Sequence, residues 1–396
     1  MERLPIVVYS HLRWNSVYQR PQQILSRVSE WRPVLFLEET VAADPLAPDS
    51  AELQYPLPNL LVVRPILQNP GGAFDPERLG VIGKRLLRWQ HATRHIAWVY
   101  TPLALPLAQA LSPDRIVYDC MDELGAFLHA SPDLAEREQE LLDVADLVFC
   151  GGHSLYRARR DRHPRVRCFP SSVDVAHFRP AAGPHREPPD QSALTRPRLG
   201  FFGLIDEHLD LGLIDGLAAM RPDWQIVLVG PVSRIDAASL PRRHNLHYLG
   251  QRSYSSLPRY LPGWDVCLMP FARNRATKFI SPTKTLEYMA AERPVVTTPI
   301  RDVVEPYGEV VEVASDAAGF VAACERVMAE SSAARARRVM AMRELVGRTS
   351  WDDTVQAMLD EIRELPRRLS LRGHTEEPAP SSATRSLPMR EDRPAS

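Results

Sequence analysis

Residues 281–299 read SPTKTLEYMAAERPVVTTP, a stretch whose residue types and spacing could seat an anion beside a polyol. Ser281-Pro282-Thr283 has the form of a helix start, because Ser and Thr side chains satisfy the first free amides and proline suits the first turn. Lys284 and Glu287 stand three residues apart and share one face of that helix near its positive end. Arg293-Pro294 then stops the helix, and Val295-Val296-Thr297 reads as a short buried strand. A loop, a helix with a cation in its first turn and a parallel strand together make an anion site in an α/β domain. The glutamate on the same face can hold neighbouring hydroxyls, as a sugar or ribose offers. A phosphate and a polyol side by side suggest a nucleotide sugar.

Composition singles out one of these residues. Of 48 basic residues only Lys84, Lys278 and Lys284 are lysine, so the chain uses arginine wherever either will serve. Lys278 and Lys284 both survive in this loop, where a compact ammonium suits a phosphate that a guanidinium fork need not fit. The bland alternative is that both are simply solvated.

Three further motifs carry polar chemistry. The first follows the opening apolar run: Ser10-His11-Leu12-Arg13-Trp14-Asn15, continuing to Gln19-Arg20-Pro21. Ligands of open α/β sheets bind beyond the carboxyl ends of strands, and His11, Arg13 and Gln19 offer a titratable donor, a cation and an amide there. An ordinary surface loop with Trp14 packed down is the alternative. The second is Tyr118-Asp119-Cys120-Met121-Asp122-Glu123, with three carboxylates after a strand. Asp119 and Asp122 could position sugar hydroxyls or act as a base, or the cluster could only favour a helix's first turn. No His or Cys with ligand spacing lies nearby, so no metal is expected. The third, PSSVDVAHFRP at 170–180, reads as the exit from one domain into a hinge.

The elements that must position these groups alternate short apolar runs with helical patterns. Strands are expected at 6–9, 34–37, 60–63, 96–100, 116–118, 147–150 and 166–169, with helices near 20 and over 133–144. Residues 179–197 are rich in proline and charge and read as a linker. The alternation resumes at 199–203, 226–229, 246–249, 266–269 and 295–297, then helices over 317–346 and an amphipathic segment at 351–365. The expectation is α/β, two mostly parallel sheets covered by helices on both faces. The divisions are an N-terminal domain 1–178, linker 179–198, C-terminal domain 199–348, a helix 349–365 packing back on the N-terminal domain, and a disordered tail 366–396. Net charge of -1 predicts no general attraction to nucleic acid. Five scattered cysteines without a CxxC pair, no long apolar run and no signal-peptide core point to a reduced, soluble, cytoplasmic protein.

The same blocks resemble a known family. SSVDVAHFRP is similar to the N-G-V-D-x-x-x-F-x-P segment, and TLEYMAAERPVVTTP to the L-E-A-M-A-x-G-x-P-V-V segment, of family 4 glycosyltransferases of the GT-B fold. SHLRWNSVYQRPQQIL, VYDCMDEL, ADLVFCGGHSLY and FISPTKTLEYMAA resemble a bacterial subgroup of exopolysaccharide or teichuronic-acid-type transferases, covering roughly residues 5–365. The resemblance implies two doubly wound Rossmann-like domains facing a central cleft. It implies retaining transfer from a nucleoside-diphosphate sugar, used as co-substrate with no other cofactor, to a saccharide or lipid-linked acceptor. A lipid-linked acceptor would bring peripheral contact with the inner membrane face. Glu287 matches the glutamate given to the ribose hydroxyls, Lys284 would face the diphosphate, and Gly203 matches the glycine that lets phosphates approach the backbone.

The chain departs from the family pattern at several positions. Phe279 stands where the first of two glutamates is expected, so sugar contacts would come from Asn274 or the amides around Ser281 and Thr283. The loop after the C-terminal domain's first strand reads Leu204-Ile205-Asp206-Glu207-His208 and lacks the usual Arg and Lys, leaving Lys278, Lys284 or Arg273 as the cation. Glu292 replaces a helix-end glycine, which suggests a different helix end. If a general base exists, His11 or Asp122 is the choice. Two other readings stay open: a sugar-nucleotide epimerase, and a non-catalytic partner in a polysaccharide assembly complex, which Phe279 and Arg275 favour.

Overall fold

The computed structural model describes residues 4–89, 94–128, 130–179, 187–366 and 389–391. The N-terminal sheet contains β1 (Ile6–Ser10), β2 (Val34–Glu38), β3 (Val41–Ala42), β4 (Ser50–Leu57), β5 (Leu60–Leu67), β6 (Ile96–Val99), β7 (Arg115–Cys120), β8 (Leu147–Cys150) and β9 (Val166–Cys168). The C-terminal sheet contains β10 (Arg198–Phe202), β11 (Gln225–Val229), β12 (Leu246–Gly250), β13 (Val266–Met269), β14 (Val295–Thr297) and β15 (Glu312–Val313), and β16 (Met389–Glu391) joins the first sheet. The helices are α1 (Arg20–Ser29), α2 (Pro76–Trp89), α3 (Leu105–Ala110), α4 (Leu134–Val144), α5 (His153–Arg159), α6 (Val175–Phe178), α7 (Pro189–Ser192), α8 (Leu211–Met220), α9 (Thr283–Ala290), α10 (Arg301–Tyr307), α11 (Ala317–Met328), α12 (Ser332–Val346) and α13 (Trp351–Glu364).

Runs such as Ile6-Val7-Val8-Tyr9 are buried along their whole length, as strands covered on both faces must be. They form parallel ladders in the order β5-β2-β1-β6-β7-β8-β9, and the second sheet runs β12-β11-β10-β13-β14-β15. Strand order reverses beside β1 in one sheet and beside β10 in the other, which opens a crevice at the carboxyl end of each. Four strands were not read from the sequence: the two-residue β3 and β15, and β4 and β16. β4 pairs antiparallel with β5 and alternates buried with exposed residues for much of its length. β16 pairs with β4, inside a segment expected to be disordered, most of whose other residues lie outside those described.

The N-terminal sheet has an apolar cluster on each face, and the C-terminal domain has its own. Trp351, Val355, Met358, Leu359 and Ile362 of α13 recur at helical spacing and bury against the N-terminal cluster beside α1. Where the chain passes back to that domain, buried Ser172 bonds with Thr349 and Thr354 and donates to Ser350 O at 3.1 Å. The described part of the proline-rich segment is anchored rather than free. Gln191 is buried, accepting from Trp264 Nε1 at 2.6 Å and donating to Tyr260 O at 2.9 Å.

Helix α9 differs from its sequence expectation at both ends. Its N-cap is Pro282 and no side chain caps it, so neither Ser281 nor Thr283 takes up the first amides. At the other end Glu292 adopts the left-handed φ of 60° that a glycine would favour. Arg293 N donates to Tyr288 O at 3.0 Å and Glu292 N to Met289 O at 2.9 Å, which completes a Schellman close. Glu292 also pairs with Arg343 at 2.7 Å, so the non-glycine cap persists without altering the helix end.

Candidate functional site

The carboxyl ends of the two sheets face each other across a cleft enclosing about 1320 Å³, part of it open to solvent. Its C-terminal wall is built on Gly203 and the first turn of α9. Gly203 has a φ of +134°, and an added Cβ would lie 2.2 Å from Lys284 Cε, so only glycine lets this lysine lie over the loop. Lys284 Nζ stands 5.5 Å from the Phe201 ring and has no hydrogen-bond or ion-pair partner among the described residues. Burial lowers its pKa, opposed by the charges of Glu287, Asp206 and Asp122. Burial pushes the Glu287 carboxyl up to about 7 against the pull of Lys284, and it too has no hydrogen-bond partner among the described residues. An uncapped helix start, a free ammonium and a free carboxylate one turn later can accept a phosphate and a pair of hydroxyls.

Ser281 and Thr283 line the same wall and join it to the hinge: Ser171 Oγ donates to Ser281 O at 2.7 Å, and Thr283 Oγ1 bonds with Ser171 Oγ at 3.3 Å. On the N-terminal wall, the cleft takes in His11, Gln19 and Asp122. Both His11 ring nitrogens are shielded from water without a hydrogen-bond partner among the described residues. Burial, helped by Arg234, lowers its pKa to about 3. Burial thus disfavours the charged imidazole at His11, and its unpartnered ring nitrogens can meet a ligand by hydrogen bond. Burial raises Asp122 to about 6, with the nearby charge of His208 the largest opposing influence.

Four sequence candidates are occupied elsewhere. Asp119 is fully buried in β7, where it accepts from Arg20 Nε and Nη2 at 3.2 and 3.0 Å and from Trp98 Nε1 at 3.3 Å. It holds the start of α1 and cannot meet a substrate. Arg13 bonds to Glu38 at 3.1 Å and lies outside the cleft lining. Asn274 shapes its own loop, accepting from Thr277 N at 2.9 Å and donating to Glu207 O at 3.1 Å. Lys278 is exposed, 5.3 Å from the Phe279 ring, while Phe279 itself packs against the N-terminal core.

Other cleft residues went unread in the sequence. His208 donates from Nδ1 to Asp206 at 3.0 Å, and its ring meets Phe127 edge-on at 5.3 Å. Arg234, in the loop after β11, stands 4.8 Å over the other domain's Phe127. Tyr254 is stacked between Tyr18 at 4.3 Å and His177 at 4.2 Å, and Gln23 Nε2 donates to its hydroxyl at 2.7 Å. The available signal was position: each charged or aromatic residue follows a strand end or precedes a strand of the second sheet.

Comparison with known proteins bears on the family and the fold. Residues 196–330 match the family described as glycosyl transferases group 1. A Bacillus subtilis (strain 168) protein named as a teichuronic acid biosynthesis glycosyltransferase, TuaH, is 26% identical over 255 residues, 59% of this chain. The match spans 63% of that relative's length. A sucrose-phosphate synthase from Thermosynechococcus elongatus superposes with a TM-score of 0.73 at 18% identity, covering 92% of this chain and 99% of its own. A trehalose-6-phosphate structure from E. coli, bound with UDP-2-fluoro glucose, gives 0.66 at 15% identity, covering 92% and 100%. At such identities it is the fold that is shared. The resemblance read from the sequence blocks is thus borne out: residues 196–330 match the group 1 glycosyl transferase model, the chain is similar to a teichuronic-acid-type relative, and the fold is GT-B.

Proposed function

We propose that the protein is a retaining glycosyltransferase that moves a sugar from a nucleoside-diphosphate donor to a saccharide or lipid-linked acceptor in cell-surface polysaccharide synthesis. The observation that carries this reading is the unpartnered Lys284 over Gly203 at the uncapped start of α9, with Glu287 one turn away. The donor's diphosphate would lie on the α9 amides and Lys284, and its ribose hydroxyls on Glu287. The acceptor would enter beside His11, Gln19 and Asp122. In the transfer, the sugar's C1–O bond to phosphate breaks, its electron pair going to the phosphate oxygen. The acceptor oxygen bonds to C1 from the same face, and its proton passes to the departing phosphate. Charge on that phosphate is what Lys284 and the helix start would stabilise. Peripheral membrane contact belongs to this reading only if the acceptor is lipid-linked.

Incubation with UDP-, GDP- and ADP-hexoses, with and without a saccharide acceptor, tests it by the anomeric proton signal. A product keeping the donor's anomeric configuration is expected, and an inverted product overturns retention. Conversion of a donor to its epimer without acceptor would instead identify an epimerase. A second reading rests on Phe279, which fills a position expected to hold a sugar-contacting carboxylate: a non-catalytic partner that binds nucleotide and turns nothing over.

A further inference from the structure

The loop that follows β10, residues 203–208, approaches the proposed phosphate position yet holds neither Arg nor Lys. Its one titratable cation is His208, which lines the cleft. Asp206, buried under it, accepts from both His208 N and His208 Nδ1 at 3.0 Å, which fixes the ring's orientation and tautomer. The Phe127 contact braces the ring from the opposite domain. With Nδ1 taken, Nε2 is the nitrogen left for the cleft, and it has no partner among the described residues. The charged groups around the ring are Asp206 and Glu207 on its own loop, Asp122 across the cleft, and Arg234 beyond Phe127. Burial lowers the imidazole pKa, but the hydrogen bond and charge of Asp206, with Asp122 and Glu207, raise it overall.

We infer that His208 is the phosphate-recognition cation of this loop: Asp206 holds Nδ1–H, and Nε2–H donates to the outer phosphate of a bound nucleoside diphosphate. This rests on the donor reading above and adds to it a residue and a pH dependence. The proton stays on the imidazole, so the bond changes of the transfer are unaltered. The interaction exists only while His208 is protonated and is lost as pH rises through its raised pKa.

The test is calorimetric titration of the full chain with UDP, GDP and ADP and with the matching monophosphates, at about pH 6 and about pH 8.5, on either side of an ordinary imidazole pKa. The ratio of diphosphate to monophosphate affinity cancels base and ribose contacts, including that of Glu287. In the wild type this ratio should fall about tenfold relative to His208→Asn as pH rises, the worth of one charge-assisted hydrogen bond. His208→Asn should already show the lowered ratio at the acid end. Asp206→Asn should keep the acid-end ratio but move the fall to lower pH, a shift that a purely structural role would not produce. An unchanged ratio in His208→Asn, with the wild type binding, overturns the role of His208 alone. Failure of the wild type to bind any of the three diphosphates overturns the donor reading and this inference together.

Discussion

Lys284 and Glu287 share a wall and a burial cost, and the pH consequences of that cost can be measured. Glu287 sits at about 7 in the folded protein because burial disfavours its charge. The folded state therefore holds a proton that the unfolded chain releases near the ordinary carboxylate value. Stability from this group is present below that value and declines as pH rises toward 7, by on the order of 3 kcal/mol. Glu287→Gln should flatten the decline, read as melting temperature against pH; an identical slope in the variant would contradict the assignment. Sequence alone found Lys284, Glu287, Gly203, Ser281, Thr283, His11, Gln19 and Asp122, all of which line the cleft. It mistook Asp119 for a ligand group, because a carboxylate at a strand end looks the same whether it faces a cleft or an arginine 99 residues away. Arg13 and Asn274 were lost for the same reason, their partners being set by loop conformation, while Lys278 is exposed outside the cleft lining.

At the level of elements, the uniformly apolar strands were legible and β4 was not, since a strand with one face toward water dilutes the apolar signal. The start of α9 was placed correctly but for the wrong reason. Its Ser and Thr do not cap it, and that leaves its amides available. The Asp119–Arg20 pair belongs to this scale, because it ties β7 to the start of α1 rather than to any ligand. Removing one partner of a buried pair strands the other charge, so Asp119→Ala should lower stability by about 3 to 5 kcal/mol. Chemical unfolding of the variant measures this, and a loss within the range of ordinary surface substitutions would overturn the structural role.

The whole molecule brings the two sheets' switch points to a common cleft. Contacts at several places hold that arrangement. Asp302 of α10 accepts from Ser154 N at the start of α5, at 3.0 Å. Tyr254 is clasped between Tyr18 and His177, and Ser172 fastens the return crossing. These pairings join residues far apart in sequence, so the alternation of strands and helices revealed two domains without revealing how they close. Among the described residues no helix is long and apolar enough to cross a membrane. The central claim is that the wall formed by Gly203, Lys284 and Glu287 binds a nucleoside diphosphate. Calorimetric titration of the purified protein with UDP, GDP and ADP, repeated on Lys284→Ala and Glu287→Ala, tests it most directly. The account predicts micromolar binding of one nucleotide, weakened by about 2 to 4 kcal/mol in Lys284→Ala and clearly reduced in Glu287→Ala. Binding that survives unchanged in both folded variants, or no binding of any of the three, would contradict it.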